Sequence, residues 1–439
     1  MASEWRTATV SELQRQGVLL VEDGNHGEYR PRPEEFVDNG TAFIRATDMD
    51  NGRVLFESAS KINERARQRI TKGIGASGDV LLSHKGTVGK IALVPDDAPP
   101  FVCSPQTTFW RALNPEILDR RYLYAFLRSS GFRAQLATRA GETDMAPYVS
   151  LTSQRGLSLT LPPIGTQRAL ARILGTLDDK IELNRRINET LEAVAQALFR
   201  SWFVDFEPVR AKTEGRDPGL PKPFADLFPD HLEDSELGEI PAGWDFCGLD
   251  GVARFLNGLA LQKFPPSDRG SLPVIKIAQL RAGTTQGADR AAADLNPDYI
   301  IEDGDVLFSW SGSLECELWT GGKGALNQHL FKVTSTDYPR WFFYYWIRRH
   351  LTDFRHIAAG KATTMGHIQR HHLSEARISI PDQRLLGAAD EFFAPMIAQI
   401  VQRRLESCAL GTLRDTLLPK LISGERRVKD VERFVEERA

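Results

Sequence analysis

Cysteine is scarce. There are 4 in 439 residues, Cys103, Cys247, Cys316 and Cys408, and they stand far apart. None belongs to a Cys-x-x-Cys pair, which argues against a zinc site and against a disulfide framework. No apolar run approaches the roughly 20 residues that a membrane-spanning helix needs. The opening stretch MASEWRTATV carries neither a basic segment nor an apolar one, so a cytoplasmic chain without a signal peptide or membrane contact is expected. Excess positive charge is missing too, since 55 Lys and Arg against 58 Asp and Glu leave a net charge of -3. A protein that merely coats nucleic acid is usually basic, so any binding of that kind must come from local patches.

Catalytic signatures are also lacking. A methyltransferase acting on exocyclic amines would carry an Asn-Pro-Pro-aromatic tetrapeptide and a Gly-rich cofactor loop, and neither occurs. The segment GTVGK (86–90) fails as a phosphate-binding loop: Ile91 stands where Ser or Thr is needed, and the upstream glycine is missing. There is no His-Glu-x-x-His metal motif, and PDDAPP (95–100) lacks the spaced acids and lysine of a common nuclease core. His371 and His372 are adjacent on one loop and are read as phosphate or solvent contacts rather than metal ligands. No serine, histidine and acid spacing singles out a triad. With 41% hydrophobic and 26% charged residues, the chain is a folded protein of about two to four domains. Its expected role is binding rather than catalysis.

What is present is a repeat. GDVLLSHKGTVG (78–89) matches GDVLFSWSGSLE (304–315); each opens with Gly-Asp, runs through an apolar strand to Ser83 or Ser309, and reaches Gly86 or Gly312. Upstream, FIRATDMDNG (43–52) resembles VIKIAQLRAG (274–283). Downstream come Gln106 and Gln328, then aromatic helices at 122–132 and 341–351, then polar loops at 141–154 and 360–373. A short strand running into proline follows in each half (157–163 and 376–381), then Gln167-Arg168 or Gln383-Arg384, and then a long helical pattern.

The first helical stretch places Leu170, Leu174, Leu177, Ile181, Asn184, Ile187, Leu191, Val194 and Leu198 on a near-heptad seam. The second seam, Phe393 to Leu421, is weaker at Arg403 and Ser407, and Pro395 is read as a kink or as the true start. Residues 165–204 as one helix would span about 60 Å, more than one DNA turn of roughly 34 Å. Two such helices in one chain can pair antiparallel and act as a ruler between two similar domains. Residues 207–230 read as an irregular, Pro- and Gly-rich linker. Two basic stretches, 61–72 and Arg340 to Arg377, are each by themselves read as a solvated helix face. A scaffold that joins partners through a coiled coil has no need for a repeated pair of polar loops.

These residues carry a resemblance. The block 161–212 is similar to the central conserved region of Type I restriction–modification specificity subunits, and LRDTLLPKLISGERRV (413–428) to their distal conserved region. GDVLLSHKGTVG resembles the turn, strand and loop of their target-recognition domains. The resemblance covers nearly the whole chain. It implies a mixed α/β fold: two target-recognition domains joined by two long antiparallel, coiled-coil-like helices and related by a pseudo-two-fold. The corresponding boundaries are 1–160, first recognition domain; 161–206, central conserved helix; 207–234, linker; 235–380, second recognition domain; and 381–439, distal conserved helical region. It also implies a subunit without an active site or cofactor of its own, reading a split target in double-stranded DNA. Two modification subunits would bring S-adenosylmethionine, and motor-nuclease subunits would bring ATP and magnesium.

Phosphate contacts favour Lys and Arg, and base edges favour side chains that donate and accept. The first-half candidates are therefore Ser83, His84, Lys85, Thr87, Lys90 and Gln106, with Arg45, Lys72, Thr143 and Tyr148. The second-half candidates are Ser309, Trp310, Ser311, Gln328, His329, Thr364, His367, Gln369 and Arg370, with Lys276. No metal ligand is assigned.

Overall fold

The computed structural model describes residues 5–141, 147–236, 238–268, 270–360, 366–422 and 424–425. The chain divides into two compact units, Met1–Lys180 with Leu410–Ala439, and Ile181–Ala409. Both are built to the same plan, so the sequence repeat is a repeat of topology. In the first unit a four-stranded sheet runs in the order Leu19–Asp23, Thr107–Ala112, Val80–Ser83, Ile91–Leu93. In the second the order is Arg254–Asn257, Leu330–Thr334, Val306–Ser309, Cys316–Leu318. Neighbours are antiparallel throughout. Val80–Ser83 and Val306–Ser309 are buried at every residue, which is why both strands read as unbroken apolar runs without alternation. A second sheet in each unit contains a parallel pair, Thr41–Ile44 with Phe101–Cys103 and Ser271–Ile275 with Gly324–Leu326. A two-stranded ribbon joins Arg6–Thr9 to Ser158–Leu161, and Asp245–Gly248 to Arg377–Ile380.

The repeated Gly-Asp is a physical requirement of the turn. Gly78 and Gly304 sit at φ +82° and +90°, where a Cβ is strained. The next side chain locks the turn: Asp79 accepts the Ala76 N–H, and Asp305 accepts the Glu302 N–H, both at 2.8 Å. Each aspartate also pairs with a cation of the neighbouring strand, Asp79 with Arg111 at 2.7 Å and Asp305 with Lys332 at 2.8 Å.

The aromatic stretches become helices that cover these sheets. In the first unit the helix is broken into Arg120–Arg128 and Ser130–Ala140. Ser129 is extended there, and its hydroxyl accepts the Phe132 N–H at 3.3 Å. In the second unit it is one helix, Arg340–Gly360, which buries the run Trp341 to Ile347.

The first long helix spans Ile164–Phe199 and closes in a π-helical turn at Arg200–Val204. The second spans Gln383–Ile422, so Pro395 lies within it and does not mark its start. The start belongs to Asp382, whose carboxylate accepts the Leu385 N–H at 2.8 Å as an N-cap. The helices pair antiparallel within each unit. In the first, Leu170 and Leu174 share a core with Leu418 and Leu421, and Asp178 meets Arg414. In the second, Asn184 meets Glu406, and Asn188 donates to the Ile400 carbonyl at 3.3 Å.

The stretch expected to be an irregular linker is folded and packed. It forms the helices Glu207–Thr213 and Lys222–Ala225 and a strand pair, Leu232–Ser235 with Gly238–Pro241. Val209, Phe224 and Phe228 enter the core of the second unit, with Trp202 and Phe224 ring centroids 4.8 Å apart. Among the described residues no helix is long and apolar enough to cross a membrane.

Candidate nucleic-acid interface

Each unit displays a polar loop after its buried central strand, and the same backbone bonds hold both loops. Ser83 is fully buried; its hydroxyl accepts the Lys90 N–H at 2.8 Å, and its carbonyl accepts the Gly89 N–H at 2.9 Å. Ser309, equally buried, accepts the Glu315 N–H and donates to the Ser313 carbonyl, both at 2.7 Å. Expected from the sequence to face DNA, these two serines instead staple the loops shut from inside.

The next residue in each loop is gripped on both sides. The His84 N–H donates to the Gln106 carbonyl at 2.9 Å, and its carbonyl accepts the Val149 N–H at 2.9 Å. The Trp310 N–H donates to the His329 carbonyl at 3.3 Å, and its carbonyl accepts the Ile368 N–H at 2.9 Å. The loop glycines close the ring, Gly86 onto Pro147 and Gly312 onto Gly366. Lys85 bridges Tyr148, and Ser311 bridges His367. The equivalent pairs are therefore His84 with Trp310, Lys85 with Ser311, Tyr148 with His367, and Gln106 with His329. The sequence pairing of Gln106 with Gln328 is out by one residue, because strand register makes Thr107 the counterpart of Leu330. Arg45 and Lys276 are also equivalent. Each follows the end of a parallel strand whose last carbonyl accepts an N–H, from Ser104 or from Asn327.

On this shared frame the side chains differ. In the first unit Lys85, Thr87, Gln106, Tyr148 and Lys72 are exposed, with the Lys85 ammonium 5.8 Å from the Tyr148 ring centre. Arg45 is half-buried, its guanidinium 5.5 Å from the Phe36 ring centre. In the second unit Gln369 and Arg370 are exposed, the Arg370 guanidinium lying 5.8 Å from the Phe331 ring centre. The Ser311 hydroxyl lies 2.9 Å from Nδ1 of His329, and the Gln328 amide lies 3.4 Å from Nε2 of the same ring. His367 is half-buried beside Trp310, ring centres 6.3 Å apart. Lys276 is half-exposed and paired with Asp289 at 2.5 Å. Thr143 and Thr364 lie outside the described residues.

Two further expectations, His84 and Ser311, are corrected by burial, while Lys90 and Trp310 are half-buried and held by hydrogen bonds. His84 is 2% exposed; its Nδ1 bonds the Val149 carbonyl at 3.1 Å, and burial pushes its pKa down, so it is a neutral strut. The Lys90 ammonium is tied back to the Met49 carbonyl at 2.9 Å. Ser311 is 4% exposed and orients His329 rather than solvent. Trp310 packs, donating its indole N–H to Asn257 Oδ1 at 2.9 Å and to the Gln328 carbonyl at 3.0 Å. Two supports had no sequence signal, since a lone amide does not reveal from sequence whether it faces inward. One is Asn257. The other is buried Gln154, which donates to the Val149 carbonyl at 3.1 Å and accepts from Thr108 at 3.1 Å and Trp110 at 3.3 Å.

His371, His372 and Glu375 bring ligand-type atoms within 4.8 Å of one another. However, His372 Nδ1 accepts the Gln369 N–H at 2.9 Å. In the neutral ring that bond puts the proton on Nε2, so no lone pair is left for a metal. Each unit by itself offers an exposed cation and amide or imidazole groups on a hydrogen-bonded loop, the chemistry of phosphate and base-edge contacts.

A family model for the Type I restriction modification DNA specificity domain matches residues 25–193 and 241–384, one match per half. The chain is 26% identical over 444 residues to the Type I restriction enzyme HindI specificity subunit of Haemophilus influenzae, covering 87% of this chain and 94% of that one. It is 23% identical over 413 residues to the MjaIX specificity subunit of Methanocaldococcus jannaschii, covering 91% of this chain and 89% of that one. The crystal structure of a Type I S subunit from M. genitalium superposes with a TM-score of 0.52 at 14% identity, covering 95% of this chain and 96% of that one. The chain belongs to the family of Type I restriction–modification specificity subunits. It is the non-catalytic component of a type I system, concerned with recognition of target DNA.

Proposed function

We propose that the chain reads a bipartite sequence in double-stranded DNA, one recognition domain per half-site, with the two long helices fixing the spacer. One observation carries this reading: two loops held by the same backbone hydrogen bonds but bearing different side chains, Lys85, Tyr148 and Gln106 against Ser311, His367 and His329. A frame kept constant while its tips diverge is what two different half-sites require. Lys72, Arg45 and Arg370 supply phosphate contacts, and Lys85, Gln106, His329, His367 and Gln369 supply base-edge contacts. The long helices dock two modification subunits, and motor-nuclease subunits join them. S-adenosylmethionine, ATP and magnesium belong to those partners.

The test is a methylation map of the source cell's DNA with this gene intact and deleted. Loss of N6-methyladenine at one split motif on deletion is the expected result. An unchanged map, together with no co-purifying methyltransferase, would overturn the reading.

A further inference from the structure

Each unit ties its recognition domain to the long helices through an arginine at the same place. In the first unit Arg128 lies four residues after Tyr124 on the helix Arg120–Arg128, its guanidinium 4.7 Å from the tyrosine ring centre. In the second, Arg348 lies four residues after Tyr344 on Arg340–Gly360, at 5.4 Å. Arg128 then reaches Asp178 of the first long helix at 2.8 Å, and the other oxygen of Asp178 takes Arg414 of the second long helix at 2.6 Å. Arg348 reaches Glu192 of the first long helix at 3.2 Å and Glu317 of the sheet at 3.9 Å; Glu317 takes Arg404 of the second long helix at 3.3 Å. Side-chain exposures across both chains of charge run from 13% to 34%. These are not freely solvated surface pairs, which add little.

Apolar packing alone permits small rotations of one element on another. Charge-assisted bonds to a stacked, planar guanidinium are directional and resist them. That matters for a split target, because each base pair added to a spacer turns one half-site by about 35° relative to the other. We propose that Arg128 and Arg348 are positioning residues that set spacer selectivity by fixing the angle of each recognition domain on its helices. This rests on the bipartite reading above. Neither arginine belongs to the polar loops, so half-site preference is independent of them.

The test uses the full chain and a pool of randomised duplexes, from which the wild type selects its half-sites and spacer. Binding is then measured on duplexes with that spacer, with one base pair more or fewer, and with a single half-site. The variant is Asp178→Asn with Glu192→Gln, which keeps shape and removes charge. The wild type is expected to lose about tenfold on a shifted spacer and the variant less than about threefold, with base preference and single half-site affinity unchanged. A tenfold loss that persists in the folded variant, or a changed base preference, would overturn the assignment. If the variant gives no cooperative unfolding transition, Arg128→Lys with Arg348→Lys, which keeps the charge and loses the planar fork, is judged by the same two outcomes. A wild type that selects no split sequence sinks the bipartite reading itself, and the arginine assignment falls with it.

Discussion

The side-chain amide of Asn184, on the first long helix, donates to Oε2 of Glu406 on the second at 2.7 Å, at a position with no solvent exposure. Arg403 donates to Oδ1 of Asn184 at 3.4 Å, and the Asn184 side-chain nitrogen lies 3.4 Å from the Ser407 hydroxyl. The seam is therefore weak at Arg403 and Ser407 because both belong to a polar layer around Asn184. A buried polar group in an apolar seam fixes register at some cost in stability. Asn184→Leu leaves its partners without their bonds and should lower stability by about 1–3 kcal/mol. Urea unfolding measures this, and an unchanged midpoint would show that the layer is not holding the helices.

Lys85→Ala should weaken DNA binding and relax the choice of bases in one half-site only. A good base contact is worth about 1–3 kcal/mol of discrimination. The control is His329→Ala, which changes the counterpart of Gln106 and should act on the other half-site. Selection from randomised duplexes reads both. Loss spread evenly over both half-sites would contradict the assignment of one loop to each.

Ser309→Ala removes a buried hydroxyl that accepts from Glu315 and donates to Ser313. The amide and carbonyl left behind should cost about 1–3 kcal/mol in unfolding free energy. Because Ser309 shapes its loop and does not face solvent, the base preference of that half-site should stay the same while affinity falls. A switched preference would return Ser309 to the reading face.

Acid should destabilise the first unit in two stages. His26 and His84 are 5% and 2% exposed, and burial holds both pKa values below the usual imidazole value. The unfolded chain then binds more protons than the folded one, so stability falls as pH drops below about 6.5. Glu35 is held down to about 2 by its hydrogen bonds to Arg69. Its contribution is complete above the ordinary carboxylate value of about 4.3 and is lost as pH falls from there towards 2. Urea midpoints against pH should fall less steeply below about 6.5 in His84→Gln, where His26 still titrates, and less steeply below about 4.3 in Glu35→Gln. A single variant that flattened both stages would show that the groups are coupled.

Much of this architecture is written in local pattern. Gly-Asp before an apolar run gives the turn and the buried strand, because positive φ and the capping carboxylate need those two residue types. The period of Leu170, Leu174 and Leu177 gives the first long helix. What the pattern does not carry is which polar residue faces inward. Ser83 and Lys85 are equally polar, and only the buried end of the strand at Ser83 separates them. The counterpart of Gln106 was also obscured, since Gln328 matches by type whereas His329 matches by strand register. Proline and glycine made 207–230 look irregular, yet Val209, Phe224 and Phe228 are its anchors, spaced too widely for periodicity to reveal them.

The helices themselves can be lengthened to test the ruler. An insertion in the first helix alone, near Asn184, would separate Asn188 from Ile400 or Asp178 from Arg414, because both contacts run between antiparallel partners. It should abolish selective binding. Matched seven-residue insertions in both helices, near Asn184 and near Ser407, preserve the heptad seam and add about 10 Å at 1.5 Å per residue. That length corresponds to about three base pairs. Those base pairs turn the groove by about 100°, whereas a heptad returns a helix face to within about 20°. Distance and angle therefore cannot both be met without twisting the DNA. The preferred spacer should lengthen by about three base pairs at about tenfold lower affinity, with both half-sites unchanged in the selected sequences. A changed half-site, or an unchanged spacer in a folded double insertion, would mean that the helices do not measure the gap.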